Sequence, residues 1–362
     1  MLWNWQLPSW PKFTYNPNRI SQKERQFLLD MGGCAAFLKT INKQDYNQFL
    51  VEILSQEGAE SSKIEGEILD RESLQSSIQR HFGLQQLSRK PGKKELAVAE
   101  LLCNVYESFN QPLTHEMLWK WHFMLFKDSS HLDNFGKYRH HTEPMQIVSH
   151  RYDRPKVSFE APPSQRVFDE MTLFINWFNS TEFGPTLERA AIAHLYFESI
   201  HPFEDGNGRI GRALVEKILS QGAGRPVLIA VSKILERRKK EYYSSLGQCN
   251  TTLEVDSWVE FFADVILEAK EDSMLYLKFL IEKAKLFTVL AGSINSRQEK
   301  ALLRMFESGP EGFKGGLSAE KYIAITKASR ATATRDLADL VSLGALVKTG
   351  EFKHTRYWLQ SS

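Results

Sequence analysis

His201 and the residues that follow it, His201-Pro202-Phe203-Glu204-Asp205-Gly206-Asn207-Gly208-Arg209-Ile210-Gly211-Arg212, bring a base, acids, small residues and two arginines into one short run. An imidazole takes or gives a proton near neutral pH. The Asp205 carboxylate is a hard oxygen ligand of the kind magnesium prefers. Gly206 and Gly208 carry no Cβ that would hold a polyanion away from the backbone. Arg209 and Arg212 stand three positions apart, so on a helix they are neighbours that can grip one polyphosphate. The chemistry these types suggest is phosphate binding beside a proton acceptor. The flanking segments must position it. Leu187 to Ser199 (LERAAIAHLYFES) has helical apolar spacing, and so does Ile210 to Leu219. The run is therefore helix, tight loop and helix N-terminus, where free N–H groups and the helix dipole favour an anion.

Every fixed position of the HxFx(D/E)GNGRxxR signature is filled, and the run resembles that of Fic-domain proteins. The resemblance implies a helical core and protein AMPylation, the transfer of AMP from ATP to a Ser, Thr or Tyr hydroxyl of a target protein. It implies His201 as the catalytic base, Asp205 as the Mg²⁺ ligand, and Gly206, Asn207, Gly208, Arg209 and Arg212 as nucleotide-binding residues. Ser61-Ser62-Lys63-Ile64-Glu65-Gly66 is by itself helix-end chemistry. Beside the signature it resembles the family's inhibitory motif (S/T)xxxE(G/N), which implies that Ser61, Glu65 and Gly66 act with Arg212 in autoinhibition. A carboxylate on Arg212 takes the group that should hold the γ-phosphate. Gly136 to Arg139 resembles the family's GxxR segment. The flap that follows it in the family would cover Met145 to Phe159 and lie over the nucleotide, with Val148, Ser149 and His150 in contact. Gln146 to His150 reads as a strand. Tyr242, Tyr243 and Asn250 resemble the family's YYxxLxxxN segment near the nucleoside, and Tyr243 and Asn250 are taken as nucleotide contacts. Either tyrosine fits a core position equally well.

The remaining chain supplies context. At 362 residues, with 42% hydrophobic and 25% charged residues, it is an ordinary globular chain of two or three domains rather than a disordered one. A net charge of +2 points to no polyanionic partner of the whole chain. Cys34, Cys103 and Cys249 are far apart, so neither a zinc site nor a disulfide framework is suggested. No apolar run is long enough for a membrane, and the start lacks a signal-peptide pattern, so the expectation is a cytoplasmic protein without membrane contact.

Residues 1–18 form an aromatic, proline-rich strap that packs on a neighbouring surface. Ser21 and Glu24 read as a capping box. Helices are expected at about 42–55, 94–109, 114–126, 235–247 and 255–290. Helices near 297–306, 318–325 and 331–343, then a hairpin through Leu346-Val347-Lys348 and Thr355 to Leu359, resemble a winged helix-turn-helix. Ser329, Arg330, Thr332, Thr334 and Arg335 would face DNA. From Arg297 onward 11 Lys/Arg against 7 Asp/Glu make this end mildly basic, so weak DNA binding or protein binding both stay open.

The expected fold is mainly α: a Fic helical core with a small β-hairpin flap, plus a C-terminal winged helix-turn-helix. The expected domains are 1–90 (N-terminal helices with the inhibitory motif), 91–288 (Fic core) and 289–362 (winged helix). The leading function is a protein adenylyltransferase that uses ATP and Mg²⁺ and is autoinhibited by Glu65, with a homodimer in keeping with the family. The alternatives are removal of AMP, another Fic phosphotransfer, or a nucleotide-sensing DNA-binding regulator.

Overall fold

The computed structural model describes residues 2–38, 41–84, 91–129, 132, 134–148, 157–180, 186–310 and 312–360. Its helices, in chain order, are α1 (Ser21–Leu38), α2 (Lys43–Ile64), α3 (Arg71–His81), α4 (Lys93–Glu107), α5 (His115–Phe126), α6 (Ser164–Asn179), α7 (Thr186–Ile200), α8 (Asn207–Ala223), α9 (Val231–Arg237), α10 (Lys239–Gln248), α11 (Asp256–Leu290), α12 (Ser296–Phe306), α13 (Ala319–Thr326) and α14 (Arg330–Ser342). The strands among the described residues form two antiparallel pairs. β1 (Gln146–Val148) pairs with β2 (Val157–Glu160), and β3 (Leu346–Thr349) with β4 (Arg356–Leu359). The protein is thus mainly helical with small hairpins, as its apolar spacing requires. Contacts divide it into two compact units, Met1–Ala36 with Leu50–Glu271, and Phe37–Phe49 with Asp272–Ser362.

In the larger unit the central element is α7, every residue of which is buried. A helix covered all round belongs inside a core, not on an amphipathic surface. Its polar residues therefore have to find partners. Helix α8 packs beside it and reaches α4 through Lys217, whose buried ammonium donates to the carbonyls of Ser108 (2.7 Å) and Phe109 (3.0 Å) just past the end of α4. That satisfies chain-end acceptors that would otherwise be buried and bare. The N-terminal strap lies on the same core. Trp10 and Phe13 meet the ring of Tyr196 edge-on at 5.2 and 5.8 Å. The Trp5 indole donates to the Glu160 carbonyl at 2.6 Å and so touches β2.

Three local expectations are corrected. Glu24 does not cap its own helix: its carboxylate accepts the backbone N–H groups of Thr186 (2.7 Å) and Leu187 (2.8 Å), and it caps α7 instead. Helix α2 continues nine residues past Ser55 to Ile64, so Ser61 lies in its last turns. The basic helix expected over 235–247 is two helices hinged at Arg238, whose φ of −101° and ψ of 26° leave the helical region. The Arg238 guanidinium takes both carboxylate oxygens of Glu241 (2.9 and 2.7 Å) and fixes the start of α10.

The smaller unit closes α12, α13 and α14 on the β3–β4 hairpin around Leu302, Met305, Tyr322, Leu337, Leu340 and Leu346. Buried Asp336 ties its helices, accepting from Tyr322 Oη and Arg297 Nε at 2.9 Å each.

Because Glu24 satisfies two N-terminal donors of a buried helix, Glu24→Ala should cost about 1–2 kcal/mol. A urea midpoint unchanged from the parent would remove Glu24 from that role.

Candidate active site

The loop between α7 and α8 is held from several sides. His201 leaves α7 with φ at 50°, a left-handed conformation that is uncommon for a side chain with a Cβ and has to be enforced by its surroundings. Arg139 enforces it. Its Nε donates to the His201 carbonyl at 2.8 Å, Nη2 to Ile200 O at 3.3 Å, and its backbone N–H to Pro202 O at 2.9 Å. Asn207 closes the loop from within. Its Oδ1 accepts from Phe203 N at 2.9 Å and its Nδ2 donates to Phe203 O at 2.8 Å. The Asn207 side chain is thus committed to the loop, and what it offers an anion is its backbone N–H at the start of α8. Phe203 is fully buried and stacks on His122 with ring centroids 4.2 Å apart. His122 Nδ1 accepts from Gly136 N at 2.9 Å, so the proton sits on Nε2 and is donated to the Asp205 carbonyl at 3.2 Å. Gly206 adopts φ +79°, and a Cβ there would meet the Phe126 ring at 2.6 Å. The left-handed turn lets α8 start at Asn207, three residues before apolar spacing alone would start it.

Helix α2 ends against α8. Arg212 is buried, at 2% exposure. Its Nε donates to Ser61 Oγ and its Nη2 to both Ser61 O and Glu65 Oε1, at 2.9, 2.9 and 2.8 Å. The carboxylate occupies a definite place: a Cβ at Gly208 would lie 2.1 Å from Glu65 Oε1 and 3.0 Å from Arg212 Nη1. The absence of that Cβ makes the slot in which an anion sits. Arg212 Nη1 and Arg209 Nε are buried without a hydrogen-bond partner, leaving two cationic donors for a further anion. Burial pushes the Glu65 carboxyl up, but Arg212, and after it Arg209 and His201, outweigh this and hold it below the usual carboxylate range.

His201 is pushed down to about 4 by burial and by Arg139, so its ring is neutral at pH 7. Its Nδ1 faces residue 198: the Glu198 carboxylate lies 3.7 Å away, and the Glu198 backbone raises the ring's basicity. Nδ1 is buried, without a hydrogen-bond partner, so Nε2 is the nitrogen left to face a ligand. Glu198 is pushed up to about 8 by burial, then by Glu65. A cavity of about 1360 Å³ opens over these groups, lined among others by Glu65, His201, Asp205, Gly208, Val148, Tyr243 and Asn250. The two tyrosines part company. Both line the cavity, but Tyr242 is buried with its hydroxyl 2.9 Å from His194 Nε2, whereas Tyr243 is 45% exposed. Asn250 Nδ2 donates to Ser158 O on β2 at 2.9 Å and so joins α10's end to the hairpin. The structure thus brings together His201, Asp205, Gly206, Asn207, Gly208, Arg209, Arg212, Ser61, Glu65, Gly66, Val148, Tyr243 and Asn250. Ser149 and His150 lie outside the described residues.

Asp205 faces the cavity, 3.9 Å from Arg209 Nη2. A single carboxylate beside a phosphate slot fits Mg²⁺, which usually takes one or two carboxylates and fills its shell with phosphate oxygens and water. Among the described residues no cluster of three His, Cys, Asp or Glu side chains could hold a metal alone. The three cysteines are buried and free. No described helix is long and apolar enough to cross a membrane.

Sequence reading missed His122, Lys94, Glu67 and Glu198. His122 and Lys94 come from α5 and α4 and leave no local signal. Glu67 stands two positions after Glu65, and an acid repeated across a glycine was the available hint. Glu198 lies one helical turn before His201, which was another.

Burial pushes His122 and His194 down to about 4 and about 3, as it does His201. An unfolded histidine binds its proton near 6.5. Stability from each neutral ring is therefore complete above pH 6.5 and is lost as pH falls towards the folded value, by up to ~1.4 kcal/mol per pH unit. NMR ring resonances of these three histidines should stay constant from pH 8 to pH 5. His194→Gln should also lose less stability than the parent between pH 7 and pH 4.5. Titration of the rings near 6.5 would refute their neutral burial.

Comparison with known proteins finds relatives for parts of the chain. The Fic/DOC family model matches residues 112–219, and a model described as a domain of unknown function, DUF4172, matches residues 3–84. The protein adenylyltransferase Fic of Nematostella vectensis is 33% identical over 113 residues, 30% of this chain and 25% of that protein. The protein adenylyltransferase Fic of Drosophila mojavensis is 27% identical over 179 residues, 49% of this chain and 34% of that protein. The matches thus span about a quarter to a third of those relatives. A solved Fic family protein from Desulfovibrio desulfuricans G20 shares the fold, with a TM-score of 0.56 at 20% identity over 97% of this chain and 98% of that one. The match to the Fic/DOC family model thus falls on residues 112–219, the part of the chain that holds the loop, both arginines and His201.

Proposed function

We propose that this chain is a protein adenylyltransferase that moves AMP from ATP to a Ser, Thr or Tyr hydroxyl of a protein, and that Glu65 holds it inactive. The observation that carries the reading is the Gly208 slot, where an anion lies against Arg212 while a neutral imidazole lines the same cavity. In the active state ATP phosphates replace Glu65, with Arg212 and Arg209 on the γ- and β-phosphates through donors that include the two now unpartnered. Backbone N–H groups at the start of α8 meet the α-phosphate, whose charge grows during attack. His201 Nε2 takes the proton of the target hydroxyl, the hydroxyl oxygen bonds to the α-phosphorus, and the α–β bridging bond breaks to release pyrophosphate. General-base help of this kind is worth about 10²–10⁴-fold. Asp205 would hold Mg²⁺, which when bound offsets charge on the phosphates. The exposed edge of β1 suits an extended target segment added as a strand.

The test is intact-protein mass after incubation with ATP and Mg²⁺. Glu65→Gly should gain the mass of AMP more than the parent does, and the further change His201→Ala should abolish the gain while ATP binding persists. A Glu65→Gly protein that neither gains mass nor binds ATP would sink the reading.

A second reading concerns the smaller unit, which we take to be a winged helix-turn-helix that binds duplex DNA. Arg330, Thr334 and Arg335 are exposed on the N-terminal half of α14, where such a helix meets base edges. Phe352, between β3 and β4, is 93% exposed with φ at 47°, a strained placement that presents a bare ring in a hairpin that also carries Lys348 and His354. Apolar wedges of this type enter the minor groove. A random-sequence duplex should be retarded by this chain at low salt, with affinity falling as salt rises. Retardation that Arg330→Ala with Arg335→Ala leaves unchanged would exclude α14 as the reading helix.

A further inference from the structure

Two carboxylates, not one, lie on the arginine pair. Glu67 Oε2 is 2.8 Å from Arg209 Nη1, just as Glu65 Oε1 is 2.8 Å from Arg212 Nη2. The two glutamates flank Gly66, whose φ of +86° ends α2 and reverses the chain. Glu67 N donates back to Ser62 O at 2.9 Å and Gly66 N to Lys63 O at 3.0 Å, the hydrogen-bond pattern of a glycine-terminated helix. This turn lets both side chains reach the first helical turns of α8. Arg209 and Arg212 are three residues apart there, so the carboxylates sit as successive anions along one face, as two linked phosphoryl groups would.

We propose that Glu67 is a second autoinhibitory residue, which occupies Arg209 while Glu65 occupies Arg212, so that the turn at Gly66 mimics a diphosphate on both arginines. The proposal rests on the adenylyltransferase reading for what the arginines bind. Three further observations support it. Arg209 is 8% exposed and lies over the Phe126 ring at 5.0 Å, and its other near carboxylate, Asp205, is 3.9 Å away; Glu67 is the anion in direct hydrogen-bond contact. Arg209 Nε remains buried and unpartnered, which marks this guanidinium, like that of Arg212, as only partly satisfied by its carboxylate. Glu67 is also fixed from behind. Its Oε1 accepts from Lys94 Nζ at 2.8 Å on α4, and three residues on Asp70 N donates to Glu95 Oε1 at 3.0 Å. The segment after α2 is thus fastened to the start of α4 with Glu67 directed at Arg209.

Burial pushes the Glu67 carboxyl up, but Lys94 and then Arg209 outweigh it and hold it below the usual carboxylate range. It competes as a full charge at neutral pH. An ATP molecule that displaces only Glu65 then still meets a carboxylate on the β-phosphate anchor, both as a competitor for Arg209 and as a like charge. Release of one glutamate leaves the site half blocked.

The experiment is calorimetric titration of the full chain, Glu67→Gln, Glu65→Gly and the double variant with ATP in the absence of metal, with unfolding midpoints measured alongside. Glu67→Gln keeps size and removes charge at a side chain that is 30% exposed, so it leaves packing intact. Each single variant should bind ATP more tightly than the parent. The double variant should exceed Glu65→Gly by about ten-fold, the weight of roughly one charge-assisted hydrogen bond. If Glu67→Gln lowers the unfolding midpoint but leaves ATP affinity unchanged on both backgrounds, Glu67 is only a pin for the end of α2 and the proposal fails while the phosphate site stands. If none of the four proteins binds ATP, the phosphate reading fails and this proposal falls with it.

Discussion

The site depends on one constraint: a guanidinium, that of Arg212, must stay charged at 2% exposure. Burial opposes that charge, and Glu65 more than restores it. Removing a cation from water costs several kcal/mol unless partners replace the solvent. Here the end of α2 supplies them, through the hydroxyl and carbonyl of Ser61 and, four residues on, the carboxylate of Glu65. Position 212 in turn is buried because α8 lies against α7, which is enclosed on all sides. The same packing that makes a core therefore creates a demand for an anion at the start of α8. Glu65 meets that demand within the chain, and a phosphate would meet it from outside. A carboxylate from within the chain and a phosphate from outside are two answers to one electrostatic requirement, so the one excludes the other.

The groups around Arg212 share this field. His201 is neutral because burial and Arg139 disfavour its charged form, and Glu198 is pushed up by burial and by the nearby Glu65. Arg139 has two effects at once: its hydrogen bonds fix the left-handed turn at His201, and its charge adds to burial in keeping that imidazole free of a proton. The imidazole is thereby held neutral before any ligand arrives. His122 supports the opposite side of the loop in its neutral form, since donation from Nε2 to Asp205 O requires that Nδ1 accept from Gly136.

What the sequence made legible is what is local. The run from His201 to Arg212, the Ser61-to-Gly66 helix end, and the helices on either side are patterns within one or two turns, and their types and spacing already carry their chemistry. The strand at Gln146 and the hairpin after Leu346 were legible for the same reason. The rest was hidden because it is long-range. Ser21 and Glu24 have the spacing of a capping box, yet Glu24 serves α7, whose bare N–H groups lie far along the chain and are better partners than its own exposed helix end. The hinge at Arg238 has neither glycine nor proline to announce it; it follows from the pairing with Glu241. Tyr242 and Tyr243 are chemically alike, and only the core behind α10 decides which is enclosed. Lys94 belongs to the site solely because α4 starts beside the end of α2.

The placement of the two glutamates decides how the site can open. Most of α2 is anchored: Glu57 is buried and accepts from Ser232 N at 2.8 Å, Lys239 Nζ donates to Ile64 O at 2.6 Å, and Lys63 pairs with Glu236 at 3.1 Å. Glu65 and Glu67 lie beyond those anchors, on either side of a glycine. Moving the whole helix would expose its buried face, whereas rotating the chain about Gly66, beyond Ile64, breaks the pairs of Glu65 with Arg212 and of Glu67 with Arg209 and Lys94, and a few backbone hydrogen bonds. Local openings of helix ends cost far less than global unfolding. An incoming polyphosphate also replaces the broken ion pairs with its own, so the net cost of exchange is smaller still. A carboxylate at a tethered helix end can therefore keep a buried cation satisfied in the resting protein and still yield to a ligand that carries more charge.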